Sequence, residues 1–189
     1  MTLEPVEVRE AEVIREIVFG LRVKAWRSVG VLLDGTFPPD VCEDDHEDHS
    51  LHWVIRDGER MVAAARMCVH DTIAALPDAE FFVGLELNAA PPLAALNRLV
   101  VDPEYQHRGL SLALDQIRIR KAADLACHSV WGVAPPIRWG PLQRQGFEVV
   151  EPVNPSSSPR WLRIIQAARA PELPEIPRKI MMLPLHRSG

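Results

Sequence analysis

Between positions 99 and 111 the chain sets out residue types that can hold an anion. The apolar run Leu99-Val100-Val101 leads into Asp102-Pro103, then a short polar stretch, Gln106-His107-Arg108-Gly109, then Leu110 and Ser111 at the start of an apolar-periodic segment. Proline has no N–H to give to a strand ladder, so Pro103 ends the strand. Glycine lets the main chain come close to a ligand, and serine is small and hydrogen-bonds. A helix opening about Leu110 leaves its first N–H groups without intrahelical partners, and such groups attract anions. Strand, tight loop with Gly and Arg, and helix start together describe a site for a phosphate-bearing ligand. Many turns carry one glycine, so this reading depends on the elements on both sides.

Those elements follow from periodicity. Residues 10–26 place Val13, Ile14, Ile17, Val18, Leu21 and Ala25 at helical spacing, with Gly20 as a candidate break. Asp-Gly and Pro-Pro pairs mark a loop over 34–39, followed by the acidic, histidine-rich run Glu43-Asp44-Asp45-His46-Glu47-Asp48-His49. A strand over 51–56, the turn Asp57-Gly58-Glu59 and a returning strand over 61–69 predict a hairpin. Its Ala63-Ala64-Ala65 segment has low strand propensity and suits a place where neighbours pack closely. Residues 76–87 read as a short helix and irregular chain closed by Pro91-Pro92. After the anion-type loop, Leu110, Ala113, Leu114 and Ile117 form one helical stripe and Leu112, Ile119, Ala123 and Ala126 a second, which predicts a helix covered on more than one side. A strand over 128–134 precedes Pro135-Pro136. A helix over 137–145 with Gly146 as its cap leads to a strand over 147–150. The stretch 152–177 is rich in Pro and Ser, with helical character over 161–168, and 179–183 reads as a last strand. The order is that of a mixed α/β layer architecture without internal repeats.

Composition narrows the function classes. A chain of 189 residues, 47% hydrophobic and 25% charged, matches one soluble domain with a substantial core. A formal charge of −5 argues against nucleic acid as a partner. Cys42, Cys68 and Cys127 are scattered, which reads as reduced thiols in a cytoplasmic protein. No leader and no apolar run of spanning length is visible, so neither secretion nor a membrane is expected.

Val101-Asp102-Pro103 followed by Gln106-x-x-Gly109-x-Ser111 resembles motif A of the Gcn5-related N-acetyltransferases, Q/R-x-x-G-x-G/A, with Ser111 where the family has Gly or Ala. Gly146-Phe147 after an amphipathic helix resembles the family's late Gly-Phe pair. The run from Asp44 through His52-Trp53, with Asp57-Gly58 and Ala64-Ala65-Arg66-Met67, is similar to a subgroup related to acyl-homoserine-lactone and N-acyl-amino-acid synthases. Arg22 and Trp26 resemble the arginine and aromatic of that subgroup's first helix, and Ile176-Pro177 before the last strand also fits. The resemblance covers most of the chain. It implies one acyltransferase domain over residues 1–189, with a central, mostly antiparallel sheet of splayed strands flanked by helices.

The resemblance further implies direct acyl transfer from acetyl-CoA or another acyl-CoA to the amine of a small molecule or amino acid. An acyl carrier protein as donor and a non-catalytic acyl-CoA-binding module are the alternatives, and homodimerisation is left open. Such catalysis rests on positioning two bound reactants and on stabilising an oxyanion. The implied donor site comprises Leu99, Val100 and Val101, with a backbone N–H for the oxyanion, and Gln106, His107, Arg108, Gly109, Leu110 and Ser111 for the pyrophosphate. No metal is implied. The positions where the family often keeps an acid or base fall on Ala95 and Leu142, which do not titrate. Asn97, Glu86 and His70 are therefore the catalytic candidates, through an ordered water or by direct proton transfer, with His52 a further group of unfixed placement.

Simpler readings stand beside these. The acidic run reads first as a solvated loop, with recognition of a cationic group, hydrogen bonds to the hairpin or a metal as less favoured roles. His52 and Arg66 serve equally well as partners of that run or as substrate contacts. His107 matters through its backbone. Cys127 beside His128 reads as a buried small residue next to a polar one, not as a dyad. The tryptophans read as core or cleft lining.

Overall fold

Apolar periodicity at the front of the chain produces a continuous helical stretch. The computed structural model describes residues 3–28, 46–152 and 177–185. Strand β1 (Val6–Val8) precedes α1 (Ala11–Glu16), a π-helical turn (Ile17–Arg22) and α2 (Val23–Ser28). Gly20 does not break the helix; it lies inside the wide turn, where the backbone pairs at longer spacing. The loop expected over 34–39, Cys42, Asp44, Asp45 and the segment around 161–168 lie outside the described residues.

The Asp57-Gly58 turn delivers the hairpin. Strand β2 (Leu51–Asp57) pairs antiparallel with β3 (Arg60–His70), from Leu51↔Met67 to Asp57↔Arg60, and β1 pairs with the other edge of β2. Gly58 takes φ 60, a left-handed conformation that suits glycine. Ala63, Ala64 and Ala65 are buried. The short helix expected within 76–87 is a single 3-10 turn, Ala79–Phe82, behind Pro77 and the left-handed Asp78. Irregular chain follows it, as expected, and a further 3-10 turn, Ile73–Ala75, precedes the segment.

Strand β4 (Leu93–Val101) is followed by a 3-10 turn (Pro103–Tyr105) and helix α3 (Leu110–Asp124). Helix α3 starts where the sequence predicts, but its second stripe does not hold: Leu112 is 44% exposed and Ala123 and Ala126 are exposed. The buried face is Leu110, Leu114 and Ala122 with the charged residues Asp115 and Arg118 among them. Arg118 is satisfied by Asp115 Oδ1 at 2.6 Å, Arg66 O at 2.9 Å and Leu114 O at 3.1 Å. Strand β5 (Ser129–Ala134), helix α4 (Pro136–Gln143), β6 (Glu148–Pro152) and β7 (Lys179–Pro184) complete the order.

The strands form one open sheet in the order β1-β2-β3-β4-β5-β7-β6. The β4–β5 pairing is parallel, and the β1–β2, β2–β3, β5–β7 and β6–β7 pairings are antiparallel. This is the mixed α/β architecture expected. Contacts divide the chain into two compact units, Met1–Met67 with Arg98–Arg118, and Cys68–Asn97 with Ile119–Gly189. The first has a core of Ile17, Leu21, Ala25, Val54, Met61, Ala64 and Val100. The second has an aromatic core in which Phe81, Phe82 and Trp131 pack with Leu76, Leu93, Ala95 and Ile180.

Candidate functional site

In the first unit the end of β4 is fastened by Asp102. Its N–H donates to Val62 O at 2.8 Å, its carboxylate accepts from Glu104 N at 3.1 Å, and its carbonyl accepts from Tyr105 N at 2.8 Å. Lys24 from α2 and Arg60 from β3 each reach Asp102 Oδ2 at 2.8 Å. Burial pushes the Asp102 carboxyl upward, but the hydrogen bonds from Lys24, Arg60 and the Glu104 amide together hold it below the ordinary carboxylate range. Arg60 also meets Glu104 Oε2 at 2.5 Å. Tyr105 donates its hydroxyl to Asp57 Oδ2 at 2.8 Å, and its ring lies against the guanidinium groups of Arg60 at 5.2 Å and Arg108 at 4.5 Å. Arg108 donates to Glu104 O at 3.1 Å.

Beyond Tyr105 the chain emerges into solvent. Gln106, His107, Arg108 and Gly109 are exposed, and His107 and Gly109 take left-handed φ of 62° and 79°. A Cβ at Gly109 would meet nothing within 4 Å, so its backbone conformation, not crowding, favours glycine there. Gly109 O accepts the helix's first main-chain bond, from Ala113 N at 3.1 Å. The N–H groups of Gly109, Leu110, Ser111 and Leu112 thus have no intrahelical acceptor. Left-handed residues running into a helix N-terminus leave main-chain donors there of the kind that suit a phosphate. Of the strand before it, Val100 is buried and Leu99 and Val101 are half-buried.

In the second unit β4 and β5 part. Their parallel ladder runs from Leu93↔Ser129 to Ala95↔Trp131 and stops, although Leu96 and Asn97 continue β4 and Gly132, Val133 and Ala134 continue β5. Those three β5 residues keep their other neighbours, Met181, Ile180 and Lys179 of β7. A Cβ at Gly132 would lie 3.4 Å from Leu96 O, so the two strands are still in contact where they begin to diverge. One residue after Asn97, Arg98 has φ 49, a left-handed kink inside a strand at a non-glycine residue.

The catalytic candidates fall in this unit. Asn97 donates its side-chain N–H to Cys68 Sγ at 3.6 Å. His70 is half-buried at the end of β3, and Glu86 is exposed on the irregular segment after the 3-10 turn Ala79–Phe82. Ala95 and Leu142 are both buried apolar residues and offer no titratable group. Cys68 and Cys127 are buried free thiols, and burial pushes the Cys127 thiol up.

The acidic run corrects one expectation. Asp48 and His49 are exposed, but Glu47 is buried and is not part of a solvated face. Its Oε1 takes Arg22 Nη1 at 2.6 Å and Arg66 Nη1 at 2.8 Å, and its carbonyl lies 3.0 Å from His52 Nε2. His52 and Arg66 are therefore partners of that run. Burial lowers the Arg22 pKa against the opposing pull of Glu47, and burial likewise keeps the His52 imidazole neutral below its usual range. Sequence reasoning did not single out Lys24, Arg60 or Tyr105; no local pattern ties them to Asp102.

Comparison with known proteins gives this geometry a context. Residues 20–138 match the acetyltransferase (GNAT) family. No curated protein matches the chain in sequence. Among solved structures, one described as histone acetyltransferase HPA2 and related acetyltransferase, from Corynebacterium glutamicum, superposes with a TM-score of 0.65 at 16% identity, covering 100% of both chains. A Bacillus subtilis acetyltransferase in complex with CoA gives 0.59 at 12% identity, covering 98% of this chain and 100% of its own. FeeM, an N-acyl amino acid synthase from uncultured soil microbes, gives 0.61 at 11% identity, covering 97% and 92%. At these identities the likeness is one of fold.

Proposed function

The chain belongs to the acetyltransferase (GNAT) family of acyl-CoA-dependent N-acyltransferases, and from that premise we propose that residues 1–189 act as one domain, moving an acyl group from acyl-CoA to the amine of a small-molecule or amino-acid acceptor. The observation that carries this reading is the set of main-chain donors at Gly109, Leu110, Ser111 and Leu112 behind a left-handed glycine. These amides receive the diphosphate, with Gln106, His107 and Arg108 framing it. The thioester lies along residues 99–101, where a main-chain N–H stabilises the oxyanion.

In the reaction the amine lone pair attacks the thioester carbonyl, the tetrahedral intermediate expels the thiolate, and the amine proton leaves as the thiolate gains one. With Ala95 and Leu142 at the family's usual acid and base positions, the proton moves through water ordered by Asn97, or through His70 or Glu86. An acyl carrier protein as donor is the alternative, since it presents the same phosphopantetheine arm; thiol release from acyl-CoA in the absence of any carrier protein tells the two apart. Buried free thiols suit a cytoplasmic setting, and no helix among the described residues is long and apolar enough to cross a membrane.

Calorimetry with CoA on Gly109→Trp tests the loop, because an indole there obstructs the approach of a diphosphate. Loss of CoA binding with an unchanged circular-dichroism spectrum is expected, and wild-type affinity would sink the assignment. Thiol release across a panel of amines tests the transfer itself; CoA binding without turnover on any amine would make the protein a binding module.

A further inference from the structure

The donor loop is exposed from Gln106 to Gly109, so its shape must be held from elsewhere, and the atoms that hold it converge on one side chain. Arg60, the first residue of β3, places a single nitrogen, Nη2, 2.8 Å from Asp102 Oδ2 and 2.5 Å from Glu104 Oε2. It thereby brackets Pro103 at the point where strand turns into loop. The same guanidinium lies 5.2 Å from the Tyr105 ring, and Arg108 takes up that ring at 4.5 Å while bonding Glu104 O at 3.1 Å. Tyr105 is tied in turn to Asp57, on the other strand of the same hairpin end, at 2.8 Å. Asp102, Glu104, Tyr105 and Arg108 are thus all linked to the hairpin end directly through Arg60 or one contact away from it.

We infer that Arg60 is a positioning residue for the acyl donor, setting the course of residues 102–108 so that the amides from Gly109 onward face the diphosphate. This rests on reading those amides as the diphosphate site. Arg60 does not touch the donor; it acts through Asp102, Glu104 and Tyr105. Preorganisation of this kind improves binding by lowering the cost of ordering the loop when the ligand arrives. The Arg60 side chain is 43% exposed, so its removal admits water and leaves no cavity in the core. Asp102 is a poorer probe, because it is buried and also caps the 3-10 turn.

The test compares Arg60→Ala, Arg60→Lys and Gly109→Trp in the full chain, reading CoA Kd, KM for acyl-CoA, KM for the acceptor amine, kcat at saturating donor, and Tm. For Arg60→Ala, the donor KM and CoA Kd are expected to rise about tenfold, with the change confined to the donor and kcat within about twofold. Arg60→Lys is expected to recover part of the loss, since an ammonium reaches one carboxylate but does not also lay a flat face on Tyr105. Unchanged donor KM in Arg60→Ala, with CoA binding abolished in Gly109→Trp, overturns the role of Arg60 and leaves the donor site standing. Equal rises in both KM values together with a lowered Tm mean general loosening and also overturn it. If Gly109→Trp binds CoA normally, the donor-site reading fails and this inference fails with it.

Discussion

Two carboxylates in the first unit are each gripped by one cation from the front helical stretch and one from strand β3, yet they do different work. Glu47 sits between Arg22 and Arg66, whose side chains are both 0% exposed. Asp102 sits between Lys24 and Arg60, which are 48% and 43% exposed. Arg22 stands two residues before Lys24 on the front helical stretch, and Arg66 six residues after Arg60 on β3. A charge taken fully out of water has to be matched or its desolvation is uncompensated, so the Glu47 cluster is bound up with stability. Charges half in water are screened and worth little to the fold, so the Asp102 cluster is free to shape a loop.

Glu47→Ala draws the contrast most sharply. It takes the shared carboxylate from two buried guanidinium groups and is expected to cost about 3–5 kcal/mol, read as a lowered urea midpoint. A loss under about 1 kcal/mol would show that solvent reaches the cluster and would erase the distinction. The next effect is acid sensitivity. Burial holds His52 neutral in the folded protein, so the unfolded chain binds more protons, and the stability this contributes is complete above the unfolded value of about 6.5. It drains away as pH falls below that value toward the folded one. Urea midpoints at pH 7.5 and 5.5 are expected to differ in wild type and to differ less in His52→Gln; equal differences would remove His52 from the account. Asp102 has the same sign, with its contribution lost only in strong acid. Smallest is Lys24→Ala, expected to change stability by about 0.2–1 kcal/mol, an effect that shrinks in 1 M salt. A larger or salt-insensitive loss would put the two clusters in one class.

These clusters also mark where the sequence is legible. The hairpin could be read because Asp57-Gly58 imposes its turn locally, and the junction from Val101 to Ser111 because proline, glycine and a new apolar period follow within eleven residues. Glu47 could not be read in the same way. Its partners stand 25 residues before it and 19 after, and composition alone makes an acidic run look solvated. The second stripe of α3 failed for a related reason: periodicity records apolar type, whereas the fold buries Asp115 and Arg118 because each satisfies the other. Within 76–87 the helical part shrinks to the 3-10 turn Ala79–Phe82, because Pro77 and the left-handed Asp78 outweigh the helical spacing around them. Of the site, the main-chain donors were visible through Gly109, while the side chains that brace them are joined only by tertiary contact.

The two described cysteines have a practical consequence. Cys68 and Cys127 are each about 2% exposed, so a thiol reagent reaches them only when their surroundings open. Their alkylation rate then acts as a clock for fluctuations in the second unit, with Cys68 timing events beside Asn97 and Cys127 timing events at the end of α3. If a bound substrate slows the first clock and not the second, the motion that admits it is confined to the neighbourhood of β3 and β4.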